Sequence, residues 1–319
     1  MNAKKANLLF LVIILLTYAL IIIINLLYIV DGWVPSIAVN NLLSEMTSLL
    51  PSLAFIFLTG ESVFLSRDRE AIVPMRRLRI PTVLLILLIL MMLFPAIALC
   101  NAISMLFVEN TVLTISGQVL SEPMWKMLLS IGLFGPFVEE FVFRGVFFHS
   151  YRRSGRVLGS AILSGVCFGL MHMNLNQAAY AFFIGLMFAL IVEATGSVLA
   201  TFIAHAVFNS FEVCMMYAEE TLMGGGISAA QELLSGDGGR SQMLLMIPSL
   251  IGPAVIFTGI AILLIYLCAV LEGREEQFKR LFQKTDAPKP ALVTPSLIIA
   301  FVLAGLYMVF QAIATALQL

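Results

Sequence analysis

Polar and charged residues fall in short clusters along this chain, separated by long stretches that are almost wholly apolar. A helix needs about 20 apolar residues to cross a bilayer. Measured against that length, the apolar stretches predict nine spans: 7–30, 37–64, 80–108, 123–149, 157–174, 177–195, 197–217, 243–271 and 292–317. The second is diluted by Asn40, Asn41 and Glu45 and interrupted by Pro51, so a count of eight stays open. The fifth and sixth are short and almost touch. The expected fold is an all-α polytopic transmembrane helical bundle. Lys4 and Lys5 precede the first run in the manner of a signal peptide. That run is too long for a signal core and no small-residue cleavage site follows it, so it reads as a first transmembrane helix.

Composition agrees with this pattern. Of 319 residues, 61% are apolar and 12% charged, against about 25% charged in soluble domains; mean hydropathy is +1.02. Net charge is −1, and no nucleic-acid partner is expected. Cys100, Cys167, Cys214 and Cys268 stand alone in apolar runs and read as small core residues. Alternate connections collect the positive charge: Lys4 and Lys5; Arg67, Arg69, Arg76, Arg77 and Arg79; Arg152, Arg153 and Arg156; Arg274, Lys279, Arg280, Lys284 and Lys289. Cytoplasmic loops carry the excess of Lys and Arg, so the N-terminus is expected to be cytoplasmic and the C-terminus outside. Residues 222–242 read as a Gly-rich external loop and 272–291 as a charged, solvated cytoplasmic link. The chain divides into N-terminal spans (1–122), a central helical core (123–217) and a loop with C-terminal spans (218–319).

The fourth span breaks the apolar rule. Glu139, Glu140 and Arg144 sit within it, although each charge at mid-bilayer costs roughly 2.5–3.5 kcal/mol on insertion scales. They must face a polar interior. Glu140 and Arg144 are spaced i,i+4 in the favourable acid-first order. Glu139 lies about 100° around the helix, which leaves it free for chemistry, although the two acids could exchange roles. His172 follows Phe168 by four residues on the fifth span, and Asn209 follows His205 by four on the seventh. Pro136 removes a backbone hydrogen bond just before the acids. Gly165 and Gly169 form a GxxxG pair that permits close helix approach. His149, at the cytoplasmic end of the fourth span, reads as interfacial. Glu45, Asn101, Glu193 and Glu212 read as structural; Glu212, i+7 from His205 and i+3 from Asn209, is the one to watch.

These motifs resemble the CAAX prenyl endopeptidase and bacteriocin-processing family (CPBP, or Abi) of intramembrane proteases. Its EExxxR motif is matched by Glu139, Glu140 and Arg144, its FxxxH by Phe168 and His172, and its HxxxN by His205 and Asn209. The resemblance covers roughly 123–217. It implies hydrolysis of a peptide bond in or at the membrane, with the peptide or membrane-protein substrate and the lipid bilayer as partners and a bacterial plasma membrane as the setting. On this resemblance Glu139 is the general base, His172 and His205 position water or a metal, Asn209 stabilises the oxyanion, and Glu140 with Arg144 holds the local structure. Glu139, His172 and His205 make an acceptable Zn²⁺ set; glutamate-dependent water activation is equally drawable from the same atoms. Two other classes stay in view: a catalytically silent immunity or adaptor protein, and a proton-coupled transporter. The full set of motif residues speaks against the first, and the lack of an internal repeat against the second. Counting about 1.5 Å per residue puts His172 deeper than Glu139 and His205, so a shared site needs a tilted, broken or shifted fifth helix.

Overall fold

The computed structural model describes residues 1–63, 71–224, 236–283 and 291–317; most of the Gly-rich loop and part of the charged link lie outside the described residues. Among the described residues every regular element is helical. In chain order these are α1 (Ala3–Asp31), α2 (Ile37–Thr59), α3 (Ile80–Ser104), α4 (Thr111–Leu120), α5 (124–152), α6 (Val157–Met171), α7 (Leu175–Thr195), α8 (Val198–Met223), α9 (Gly236–Leu271), α10 (Glu275–Lys279) and α11 (Pro295–Ala316).

Nine of these helices coincide with the nine expected spans, and seven are long and apolar enough to cross a membrane on those grounds alone. The other two are α5, whose α-helical turns are interrupted by π-helical ones, and α6, which has only 15 residues. α2 is continuous through Pro51. α4 was not expected: it has 10 residues, too few to span. Its Asn110 N-cap side chain accepts from the Val112 and Leu113 amides, which satisfies amides that a helix start leaves orphaned.

Two apolar cores flank α5. One joins α1, α2 and α11 to α5 and α6 through residues such as Phe10, Ile13, Phe147 and Leu297. The other joins α3, α7, α8 and α9 through Ile89, Leu93, Phe188 and Ile265. Among those seven long apolar helices, α7 is the most enclosed, with 61% of its most apolar window buried, against 22% for α11. The glycine pair acts as the sequence suggests. A Cβ on Gly165 would lie 2.9 Å from the Leu186 amide nitrogen, and one on Gly169 would lie 2.7 Å from the Ala178 carbonyl. Only glycine lets α6 and α7 close to this distance.

The basic connections gather at one end of the bundle. Arg153 is bonded to Glu61, and the N-terminal amine meets the same carboxylate. Arg152 clamps buried Glu193 at 2.5 and 2.8 Å, while Arg274 donates to the Glu193 carbonyl at 3.1 Å. Ser197 accepts from the Arg76 amide, and Glu272 accepts from Arg79 and Thr82. The loops that the charge count groups together are therefore neighbours in space. Glu193 and Asn101, the latter bonded to Asn176 at 2.8 Å, are structural as expected.

Candidate active site

α5 carries both acids, and its backbone is unusual. Leu128–Phe134 and Glu140–Phe148 are π-helical, on either side of an α-helical turn, Gly135–Glu139. Single π turns cluster at functional sites because the wider turn loosens the carbonyl ladder. Pro136 contributes, since it cannot donate to the carbonyl of Gly132. The loosened carbonyls find side chains from other helices. Ser130 O accepts from Asn41 at 3.2 Å, Ile131 O from Asn209 at 3.1 Å, and Phe143 O from Ser164 at 2.8 Å. The wide turns are thus held by polar residues of α2, α6 and α8.

Glu140 is fully buried. Its Oε1 lies 2.9 Å from Arg144 Nη1, as the i,i+4 spacing predicts, and 2.9 Å from His205 Nδ1. The Arg144 contact is close but poorly aligned as a hydrogen bond, and the guanidinium nitrogens have no aligned acceptor among the described residues. Aromatic faces substitute: the Arg144 guanidinium carbon lies 4.1 Å from the Phe168 ring centroid and 5.3 Å from that of Phe188. Such cation–π contacts gain strength when desolvated.

Glu139 behaves differently. It is half-buried, and its Oε2 lies 3.3 Å from His205 Nε2. His205 thus presents one ring nitrogen to each of the two adjacent acids. A neutral imidazole carries one N–H, and the Nδ1 contact with Glu140 is the one aligned as a hydrogen bond.

His172 caps the C-terminus of α6, and its Nδ1 donates to the Phe168 carbonyl at 2.9 Å. This assigns the proton to Nδ1 and leaves Nε2 as an acceptor in the neutral ring. Met173 follows with φ +53°, a left-handed conformation that non-glycine residues seldom adopt, and the chain reverses into α7. His172 and His205 both meet the Phe168 ring edge-on, at centroid distances of 4.9 and 5.9 Å. Glu139, His172, His205 and Asn209 line one cavity of about 360 Å³. His172 follows the last residue of α6 and shares the cavity with Glu139 and His205, and the same cavity extends on to α4.

Glu139, His172 and His205, the set expected to hold Zn²⁺, line the same cavity. Among the described residues no three His, Cys, Asp or Glu side chains converge as a ligand set.

Residues 121–211, which contain every motif residue, match the family model for type II CAAX prenyl endopeptidase, Rce1-like. The match supports the resemblance of this segment to the CPBP family. It is also 27% identical over 89 residues to the "Putative membrane peptidase YdiL" of Bacillus subtilis (strain 168), a match that covers 28% of this chain and 36% of that protein. The chain therefore matches about a third of that relative's length. No solved structure matches the chain. The chain is an integral, multi-pass membrane protein.

Two acids that line the cavity were read from the sequence as structural. Glu45, on α2, lies well outside the CPBP segment, and Glu212, on α8, lies one residue beyond it. The helical spacing from His205 and Asn209 pointed to Glu212. Nothing in the sequence pointed to Glu45, a lone acid on a different span. Tyr180 of α7 and Thr111, Val112, Ile115 and Val119 of α4 complete part of the wall.

Proposed function

We propose that this protein is an intramembrane endopeptidase that hydrolyses a peptide bond of a membrane-associated peptide or membrane-protein segment through glutamate-activated water. The observation that carries the reading is the division of labour between adjacent acids. Glu140 is buried against Arg144 and His205, while Glu139 opens to the cavity beside His205 Nε2. In the proposed reaction Glu139 takes a proton from water as the oxygen attacks the scissile carbonyl carbon. The His172 Nε2 lone pair orients that water. Asn209 spends one amide N–H on Ile131 O, and its second N–H is the donor for the developing oxyanion. Collapse of the tetrahedral intermediate breaks the C–N bond, and the proton that Glu139 took from water passes to the leaving amine. A preorganised donor in a water-poor site is worth far more than the same donor in water.

The proposed setting is a bacterial plasma membrane, with the basic end of the bundle cytoplasmic. The test is cleavage of a membrane-peptide library by the purified full chain in nanodiscs, comparing wild type with E139Q, each with and without chelator. The expected result is cleavage that E139Q abolishes and chelator leaves unchanged. Cleavage that chelator removes and Zn²⁺ restores would overturn the glutamate-only chemistry, and cleavage retained by E139Q would overturn the role of Glu139.

A further inference from the structure

The cavity is acidic beyond what hydrolysis requires. Glu45, Glu139 and Glu212 line it, and no lysine or arginine is among its lining residues. Glu45 is the most unusual of the three. Only 9% of it is exposed, yet its carboxylate has no hydrogen-bond or ion-pair partner among the described residues, and it borders the cavity. A Cβ added to Gly135 would lie 3.6 Å from Glu45 Oε1, so the carboxylate sits over α5 one turn before Glu139. The nearest polar side chain at that point, Asn41, gives its amide to Ser130 O and Oγ. On α5, Arg144 is committed to Glu140 and Lys126 to Glu122, the latter at 3.0 Å. A buried carboxylate that faces a cavity without a counterion is poorly solvated, and a cation brought to it gains more there than in water.

Building on the protease reading, we propose that Glu45, together with Glu212, forms a subsite for a lysine or arginine side chain of the substrate beside the scissile bond. Glu212 lies on the same α8 face as His205 and Asn209, so the two acids reach the cavity from α2 and α8. The subsite draws on residues outside the CPBP segment, which makes it a property of this chain's own surroundings of the shared core. Desolvating a cation costs several kcal/mol unless a carboxylate replaces its water. The same site therefore selects against neutral and acidic side chains.

The test uses the full chain in lipid nanodiscs and a positional series of peptides carrying lysine, arginine, norleucine or glutamate at each position in turn. Binding is measured on the E139Q protein, where no turnover intervenes, and cleavage on the protein with Glu139 intact. The expected result is one position at which lysine or arginine binds about tenfold or more tighter than norleucine. E45Q collapses that ratio towards one, and E45D retains part of it. Absence of any such position, a ratio unchanged by E45Q, or an equal loss for all peptides in E45Q would each overturn the subsite. Discrimination in binding without cleavage by wild type would support the subsite and overturn the protease reading. Cleavage without discrimination would do the reverse.

Discussion

His205 Nδ1 and Glu140 Oε1 are joined at 2.9 Å across the interface between α8 and α5. This bond sets the plane of the imidazole and thereby directs its Nε2 towards Glu139. Glu140 does not have to react to be indispensable. Adjacent residues on a helix point about 100° apart, so a doubled acid can place one carboxylate in the scaffold and the other in the cavity.

Arg144 is fully buried against Glu140. R144A leaves the Glu140 carboxylate without its partner, which should cost about 3–5 kcal/mol of stability. R144K should recover only part of it, because an ammonium cannot stack its plane between Phe168 and Phe188. Thermal unfolding midpoints in nanodiscs read both variants. E139Q, at the cavity edge, should leave the midpoint nearly unchanged.

Asn209 is assigned to the oxyanion while it also holds Ile131 O. N209A should lower kcat by about 10²–10³ with little change in KM. A lowered unfolding midpoint with kcat intact would instead assign Asn209 to the π turn alone.

Not every glycine is replaceable at the same cost. G165A places a methyl against the backbone of α7 at 2.9–3.0 Å, where nothing can move aside, and should cost about 1–3 kcal/mol. G259A meets nothing within 4 Å and should be neutral or stabilising by up to about 1 kcal/mol. The pair of unfolding midpoints separates close packing from mere helix propensity.

Asn176 fastens α4 over the cavity. It accepts from the Thr111 amide at 3.0 Å and donates to Asn101 and Ser104 at 2.8 and 2.9 Å. N176L removes all three bonds. In a background with the four native cysteines replaced, a cysteine at Ile115 should then react with a soluble thiol reagent severalfold faster. An unchanged rate would mean that Thr111–Asn174 holds α4 without it.

The sequence displayed the bundle because lipid imposes its rule on every span alike: about 20 apolar residues leave their mark whatever the neighbours are. It displayed Glu139, Glu140, Arg144, His172, His205 and Asn209 because charge and imidazole are costly in that setting and fell at helical spacing. It did not display the π turns, since their stability depends on Asn41, Ser164 and Asn209, which arrive from distant helices. Glu45 was hidden for a related reason. A single acid on α2 looks the same whether it faces a loop, a neighbouring helix or the cavity, and only packing decides. α4 fell below the spanning length and carried no other signature.

The wide turns of α5 give its residue count a meaning that an ordinary helix lacks. A π turn holds one residue more than the α turn it replaces, so deleting any one residue between Leu128 and Phe134 would let that stretch relax into ordinary helix. What lies beyond would keep nearly its present facing, because six residues at about 100° each turn through almost the same angle as seven in wider turns. Glu139 and Glu140 would stay on their own sides of the helix. The loss would fall on the freed carbonyls of Ser130 and Ile131, which Asn41 and Asn209 now occupy. The extra residue is therefore slack in the helix, spent on backbone acceptors for neighbouring helices without moving the acids.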